Sequence, residues 1–120
     1  MLRILKNKGY AVEEALRYCA GSEQIYKEVL HTALVEGKQK RVLLDECIKN
    51  QDLARYGIEV HGIGNVAKTI GALDFYKEAR LQNERIRAGA YEEVAKGHLP
   101  FQKAYEKMLQ DIEKVKVAMY

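Results

Sequence analysis

Apolar positions recur in steps of three and four along almost the whole chain, and that spacing predicts helices. The clearest run is the last, where Tyr91, Val94, His98, Phe101, Tyr105, Met108, Ile112, Val115 and Met119 form a sustained heptad seam. Pro100 interrupts it and predicts a kink, because its ring clashes one turn back and removes a backbone hydrogen bond. Upstream, Phe75, Ala79, Gln82 and Ile86 make a second stripe, for a helix capped near Asp74 and running to Ala88-Gly89. Gln82 breaks the apolar character of that stripe for no reason visible in the sequence. A third helix carries Leu53, Tyr56, Val60, Ile63, Ala67 and Ile70 on one face, with Asp52 as its cap at the positive end of the helix dipole. Gly71 either closes this pattern or allows tight packing against it.

Before these, Ser22 is a good cap for a helix whose stripe is Ile25, Val29, Leu30, Ala33 and Leu34. Gly37 breaks or bends it, and the pattern resumes from Val42 to Ile48 with Leu43, Leu44 and Cys47. Ala11 to Cys19 reads as a short helix ended by Ala20-Gly21. Residues 1–9 form an N-terminal extension with Leu2, Ile4 and Leu5 among basic residues, either a short helix lying on the rest or a frayed end. The expected fold is all-α, an antiparallel four-helix bundle with short loops and a short additional N-terminal helix, in one domain over residues 1–120.

Composition narrows the function classes. With 120 residues, 48% hydrophobic and 31% charged, the chain has enough core for one globular domain without a metal or disulfide staple. Cys19 and Cys47 lie in helical patterns without metal-type spacing and read as buried thiols of a reducing, cytoplasmic protein. The net charge of +3 comes from basic and acidic residues interleaved along nearly every helix. Nucleic-acid binding would need a basic stripe, often with stacking aromatics, and neither is present. No apolar run is long enough to span a bilayer and no signal peptide is seen, so no membrane association is expected. The slight basic excess suits an acidic partner surface. No P-loop, dinucleotide fingerprint or kinase motif occurs, so any phosphoryl group must come from another protein.

The stretch that speaks about chemistry is His61-Gly-Ile-Gly-Asn-Val-Ala-Lys-Thr-Ile-Gly71 with its lead-in Tyr56-Gly-Ile-Glu-Val60. On a helical wheel His61 falls roughly 130° from the centre of the apolar stripe. Around it lie Ala54, Gly57, Asn65, Lys68 and Ala72, all small or polar. Three glycines, Gly57, Gly62 and Gly64, sit in this otherwise helical pattern, each at a cost of about 1 kcal/mol against alanine. Gly57 and Gly64 are expected to leave His61 open to close approach by another molecule, whereas Gly62 points elsewhere. A lone exposed histidine usually has no function, and it is the surroundings of His61 that single it out. Neutral imidazole is a nucleophile near pH 7, and its two nitrogens can divide attack from orientation.

This stretch resembles the active-site helix of histidine-containing phosphotransfer (HPt) domains, whose pattern is His-x-Leu/Ile-Lys-Gly/Ser, small residues, then Ile/Leu-Gly-Ala. The match falls at His61, Ile63, Ala67, Ile70, Gly71 and Ala72, with Ile58-Glu-Val-His61 as lead-in. Val12 to Gly21 is similar to the family's short first helix and turn, and Tyr105 stands where such domains often carry a tyrosine. The resemblance covers roughly Tyr10 to Val115. It implies a phosphorelay carrier, not an enzyme in its own right. His61 would be the phosphoryl acceptor, exchanging with an aspartate on a response-regulator receiver domain, alone or within a hybrid histidine kinase. No cofactor or metal is implied on this chain, since the partner would supply magnesium. Lys68 and Asn65 are the residues expected to contact the phosphoryl group, and Ala54, Gly57, Ile58, Gly64 and Ala72 the partner-docking surface.

The chain departs from the family at one telling place: the lysine three residues after the histidine is Gly64, and the small residue after it is Asn65. Position 64 lies about 5 Å along the axis from His61, whereas Lys68 starts about 10 Å away. A lysine restored at 64 is therefore expected to speed transfer. The alternative is a bundle that keeps partner binding while phosphotransfer is weakened or lost. A third reading is a dimerisation module built on the last heptad seam, although packing within one chain, and so a monomer, is the expected use. Two other histidines carry less. His98 in the seam beside Pro100 is expected to be structural and partly buried. His31 follows Glu28 at a spacing used in di-metal bundles, but the chain lacks the second such pair.

Overall fold

The heptad seam of the last segment becomes the longest of six helices. In a computed structural model, which describes the backbone of residues 2–119 and the side chains of residues 2–115, these are α1 (Leu2–Asn7), α2 (Val12–Tyr18), α3 (Glu23–Lys49), α4 (Leu53–Thr69), α5 (Leu73–Arg87) and α6 (Tyr91–Met119). No strand occurs among the described residues. Helix α4 packs on α3 and α5, and α6 packs on α3 and α5, so each long helix has two long neighbours. The core between them includes Tyr26, Leu30, Leu44, Tyr56, Val60, Ile70, Phe101 and Ile112. Phe75 stacks on both Phe101 and Tyr105, with centroids 5.2 and 5.0 Å apart.

Local signals set the helix starts. The Ser22 side chain accepts a hydrogen bond from the Ile25 amide at 3.1 Å, and Asp52 accepts from Arg55 at 3.2 Å. Each satisfies a donor otherwise left bare in a first turn, worth about 1 kcal/mol. Helix α5 differs from expectation: it begins at Leu73 after Ala72, with no side-chain cap, and Asp74 lies within its first turn. Gly37 neither breaks nor ends α3. It is buried inside a continuous helix, where the Leu109 side chain of α6 fills the space a Cβ would take. Pro100 likewise sits exposed within an uninterrupted α6. The buried stripe of α3 is rotated slightly from the expected one: Tyr26 is fully buried and Ile25 is exposed. The seam residues of α6 from Val94 to Val115 are buried, whereas Tyr91 at its start is exposed. Met119, expected in the same seam, lies outside the described side chains.

The N-terminal segment is a helix, not a frayed end: Leu5 is fully buried and α1 packs on α6 and α2. Tyr10 donates to Asp111 at 3.2 Å, and Lys8 pairs with the same carboxylate at 3.3 Å. The α1–α2 linker and the start of α3 are also tied to the C-terminal end of α4. The Ala11 amide donates to the Gly71 carbonyl at 2.9 Å, and the Tyr26 hydroxyl to the Ile70 carbonyl at 2.6 Å. Cys19 and Cys47 are buried free thiols, and burial pushes both up from the ordinary thiol range.

A buried polar chain explains Gln82. Its Nε2 donates to the Tyr56 hydroxyl at 3.0 Å and to the Val94 carbonyl at 3.1 Å, and its Oε1 accepts from Arg85 at 2.7 Å. The Tyr56 oxygen is thus already an acceptor, so its own proton is directed at Nδ1 of His98, 3.0 Å away. That leaves Nε2 of His98 to carry a proton and donate it to Asp45 at 2.7 Å. Gln102 completes the chain, donating to Asp45 at 3.1 Å and to the Arg41 carbonyl at 2.7 Å. Four helices are joined in this way, and His98, 9% exposed, is a structural residue. Burial, partly offset by the bond from Gln82, pushes the Tyr56 phenol up to about 12.

Candidate functional site

Helix α4 turns Tyr56, Val60, Ile63, Ala67 and Ile70 into the core, all at most 3% exposed. The periodicity that buries them leaves His61, Asn65 and Lys68 exposed on another flank. The three stand in line, one turn and two turns from the histidine. Thr69 donates to the Asn65 backbone carbonyl at 2.9 Å, so the Asn65 side-chain amide is not used in that bond. On the opposite flank, Glu59 pairs with Lys40 of α3 at 2.6 Å.

The glycines are not where the wheel suggests. A Cβ built on Gly64 lies 3.1 Å from the Cβ of Ala79 on α5, and one built on Gly57 lies 3.4 Å from Ile86. Gly64 is buried and Gly57 half-buried. Gly64 admits the neighbouring helix closely, whereas at Gly57 a methyl would make only an ordinary contact. Ala72, 4% exposed, is also covered. Of the expected docking residues, Gly64 and Ala72 are therefore removed from the surface, and Gly57 serves the α4–α5 contact. Ala54 and Ile58 remain exposed, Ile58 at 72%. Gly62, expected to play no part, has no atom within 4 Å of its built Cβ. It lines a cleft of about 210 Å³ between α3 and α4, with Ala33, Val66 and Tyr105 among its other walls. Tyr105 is buried beneath it, and burial raises its phenol well above the usual range.

Tight packing at Gly64 changes the expected effect of any side chain there. Ala79 has no rotamer through which to yield, so α5 must shift by a few tenths of an ångström. That overpacking costs about 1–3 kcal/mol, more than the roughly 1 kcal/mol of helix propensity gained. Gly64→Ala is therefore expected to lower the melting temperature, and Gly64→Lys to lower it further, before any benefit to chemistry. Ala79→Gly in the Gly64→Ala background should recover part of the loss. A thermal-melt double-mutant cycle with no coupling between positions 64 and 79 would contradict the contact.

The contacts of Gly64 with Ala79 and Gly57 with Ile86 also set the register: α4 and α5 run antiparallel, seven residues forward on one matching seven back on the other. His61 then comes level with Gln82, whose side chain turns inward. On the outward side of α5 are Tyr76, half-buried, and Arg80, exposed. Lys68 Nζ lies 5.7 Å from the Tyr76 ring centroid, and the Arg80 guanidinium carbon 5.9 Å from it. Sequence reasoning did not single out Arg80, because its height relative to α4 exists only once α5 is laid against it.

Other features lie away from His61. A cleft of about 370 Å³ is walled by Tyr10, Asp74, Phe75, Lys107 and Asp111, with Ala72 on its lining. A wider one of about 660 Å³ takes in Ala54, Leu53, Ile48 and Tyr91. His31 and Glu28 are both exposed, and no group of three or more metal-ligating side chains occurs among the described residues. No helix among the described residues is long and apolar enough to cross a membrane. Comparison of the chain with protein-family models, with curated proteins and with solved structures finds no match.

Proposed function

We propose that this chain is a phosphorelay carrier of the HPt type, an antiparallel four-helix bundle that accepts a phosphoryl group on His61. The observation that carries the reading is His61 itself, exposed on the flank of α4 opposite its buried stripe and set in the motif that ends at Ile70-Gly-Ala72. The donor or receiver is an aspartate of a response-regulator receiver domain, alone or in a hybrid kinase, which also brings the magnesium ion. In transfer to this chain, one His61 ring nitrogen attacks phosphorus as the P–O bond to the aspartyl carboxylate breaks. The carboxylate leaves with the bonding electron pair, and the other ring nitrogen carries the proton. The acceptor's task is position and charge compensation, which an exposed imidazole on a rigid helix supplies. Such a carrier acts as a monomer in the cytoplasm.

Incubation with a phosphorylated receiver should add one phosphoryl group, acid-labile and base-stable, located to His61 by mass spectrometry. His61→Gln should abolish it while leaving stability within about 0.5 kcal/mol, as expected for an exposed side chain. Phosphate persisting on the variant would place the acceptor elsewhere. The burial of Gly64 favours a second reading, a bundle that binds receiver domains without transfer, because the family's lysine has no free surface there. Receiver binding with no phosphohistidine in the wild type would select it.

A further inference from the structure

We infer that the Tyr76 ring gathers Lys68 and Arg80 into a two-cation clamp beside His61, and that Arg80 supplies the phosphoryl-facing charge that position 64 lacks. The inference rests on the phosphoryl-carrier reading and names residues within it. Its basis is the α4–α5 register. With Gly64 against Ala79, Arg80 stands at the height of Ile63, within one residue of where a lysine at 64 would start. Measured along the helix axis, Arg80 is about 3 Å from the level of His61, whereas Lys68 is about 10 Å from it. An arginine on the outward side of the adjacent helix spans the remaining gap with its long stem and offers a planar fork to phosphoryl oxygens.

Tyr76 makes the two cations act together. Each lies within the roughly 6 Å at which an aromatic face attracts a positive charge. The ring is half-buried against α4, its edge 3.9 Å from the Cβ position of Gly64. Glu84, 3.8 Å from Arg80, is the carboxylate that competes for the guanidinium, in an exposed i,i+4 pair of weak hold. Two like charges drawn to one ring repel each other, and an arriving dianion relieves that repulsion. A phosphoryl group on His61 is the anion that this position fits.

The test uses phosphoramidate, a small phosphodonor that removes any contribution of partner docking. His61 attacks phosphorus, the P–N bond breaks, and ammonia leaves with the electron pair and a proton. The rate of phosphohistidine formation is followed by intact-protein mass spectrometry at low and high salt. Arg80→Gln should slow it severalfold and Arg80→Gln with Lys68→Gln about tenfold at low salt, the gap narrowing at high salt as screening replaces the clamp. Arg80→Lys should recover part of the rate. Tyr76→Leu, which keeps both charges but removes their anchor, should approach the double variant, and Tyr76→Phe, which restores an aromatic face, should recover most of the lost rate. Circular dichroism on each variant separates lost structure from lost charge. A double variant that is folded and as fast as the wild type at both salt levels overturns the clamp alone. Absence of phosphate from wild-type His61 overturns the carrier reading and the clamp with it.

Discussion

Gly71→Ala should be strongly destabilising, lowering stability by about 3 kcal/mol and the melting temperature by roughly 10 °C. Two independent penalties meet at this position. Gly71 has φ +82°, a conformation in which an alanine Cβ crowds its own backbone. In addition, that Cβ would stand 2.7 Å from the Ala11 carbonyl oxygen and 2.9 Å from the Ala11 carbonyl carbon and nitrogen. Main chain has no rotamer to move, so relief means breaking the Ala11–Gly71 hydrogen bond that ties the N-terminal segment to α4. Gly89 provides the control. It shares the left-handed conformation, at φ +69°, but nothing lies within 4 Å of its built Cβ. Gly89→Ala should therefore cost only the conformational part, about 1 kcal/mol. Equal melting temperatures for the two variants would mean that the Ala11 junction is not a close contact in solution.

The second large effect is expected in the buried polar chain. His98→Leu removes the acceptor of the Tyr56 proton, and Gln82, the other neighbour, offers Tyr56 a donor. A fully buried phenol is then left unsatisfied, at a cost of about 2–3 kcal/mol. Tyr56→Phe in the same background takes away the orphaned proton, so the double variant should be more stable than the sum of the two single losses predicts. Chemical denaturation of all four proteins gives the coupling directly, and additivity would contradict the network. The same substitution should alter the acid limb of the stability profile. The hydrogen bond from His98 holds the Asp45 carboxyl below its ordinary value of 3.8, with Gln102 assisting and burial opposing. A folded-state value below the unfolded one stabilises the fold at neutral pH, and that contribution fades as pH falls from the ordinary carboxylate range through the depressed value. In His98→Leu this fading should be reduced. Because Asp45 is largely exposed, its share is the smaller part of the effect.

Features that depend on neighbours in sequence were open to reading from the sequence. Ser22 and Asp52 cap helices by bonding amides three residues on, and the core stripes of α4 and α6 follow helical spacing. What failed was the inference from a bare helix face to an open one. Gly64 and Ala72 carry so little hydrophobic signal that a wheel leaves them on the solvent side, yet both are buried, and at Gly64 the missing side chain is what lets α5 approach. Gln82 and His98 were visible as polar interruptions of apolar seams, but their pairing through Tyr56 requires α4, α5 and α6 to be laid together. Arg80 was hidden for the same reason. Its height, level with Ile63, is a matter of register between helices, which no single-helix periodicity contains.

The glycine and alanine contact between α4 and α5 also bears on how the chain folds. These helices are consecutive, and the residues that touch across them are close in sequence, Gly64 with Ala79 and Gly57 with Ile86, so bringing them together costs less closure entropy than joining the chain ends. At the other extreme, the bond from Tyr10 to Asp111 joins residues 101 positions apart. Contacts of the first kind form early in folding and those of the second kind late, which makes the α4–α5 hairpin the natural nucleus and should give its core residues the highest φ-values. The platform under His61 is thus built from sequence neighbours, and the slower closure is expected between the two ends of the chain.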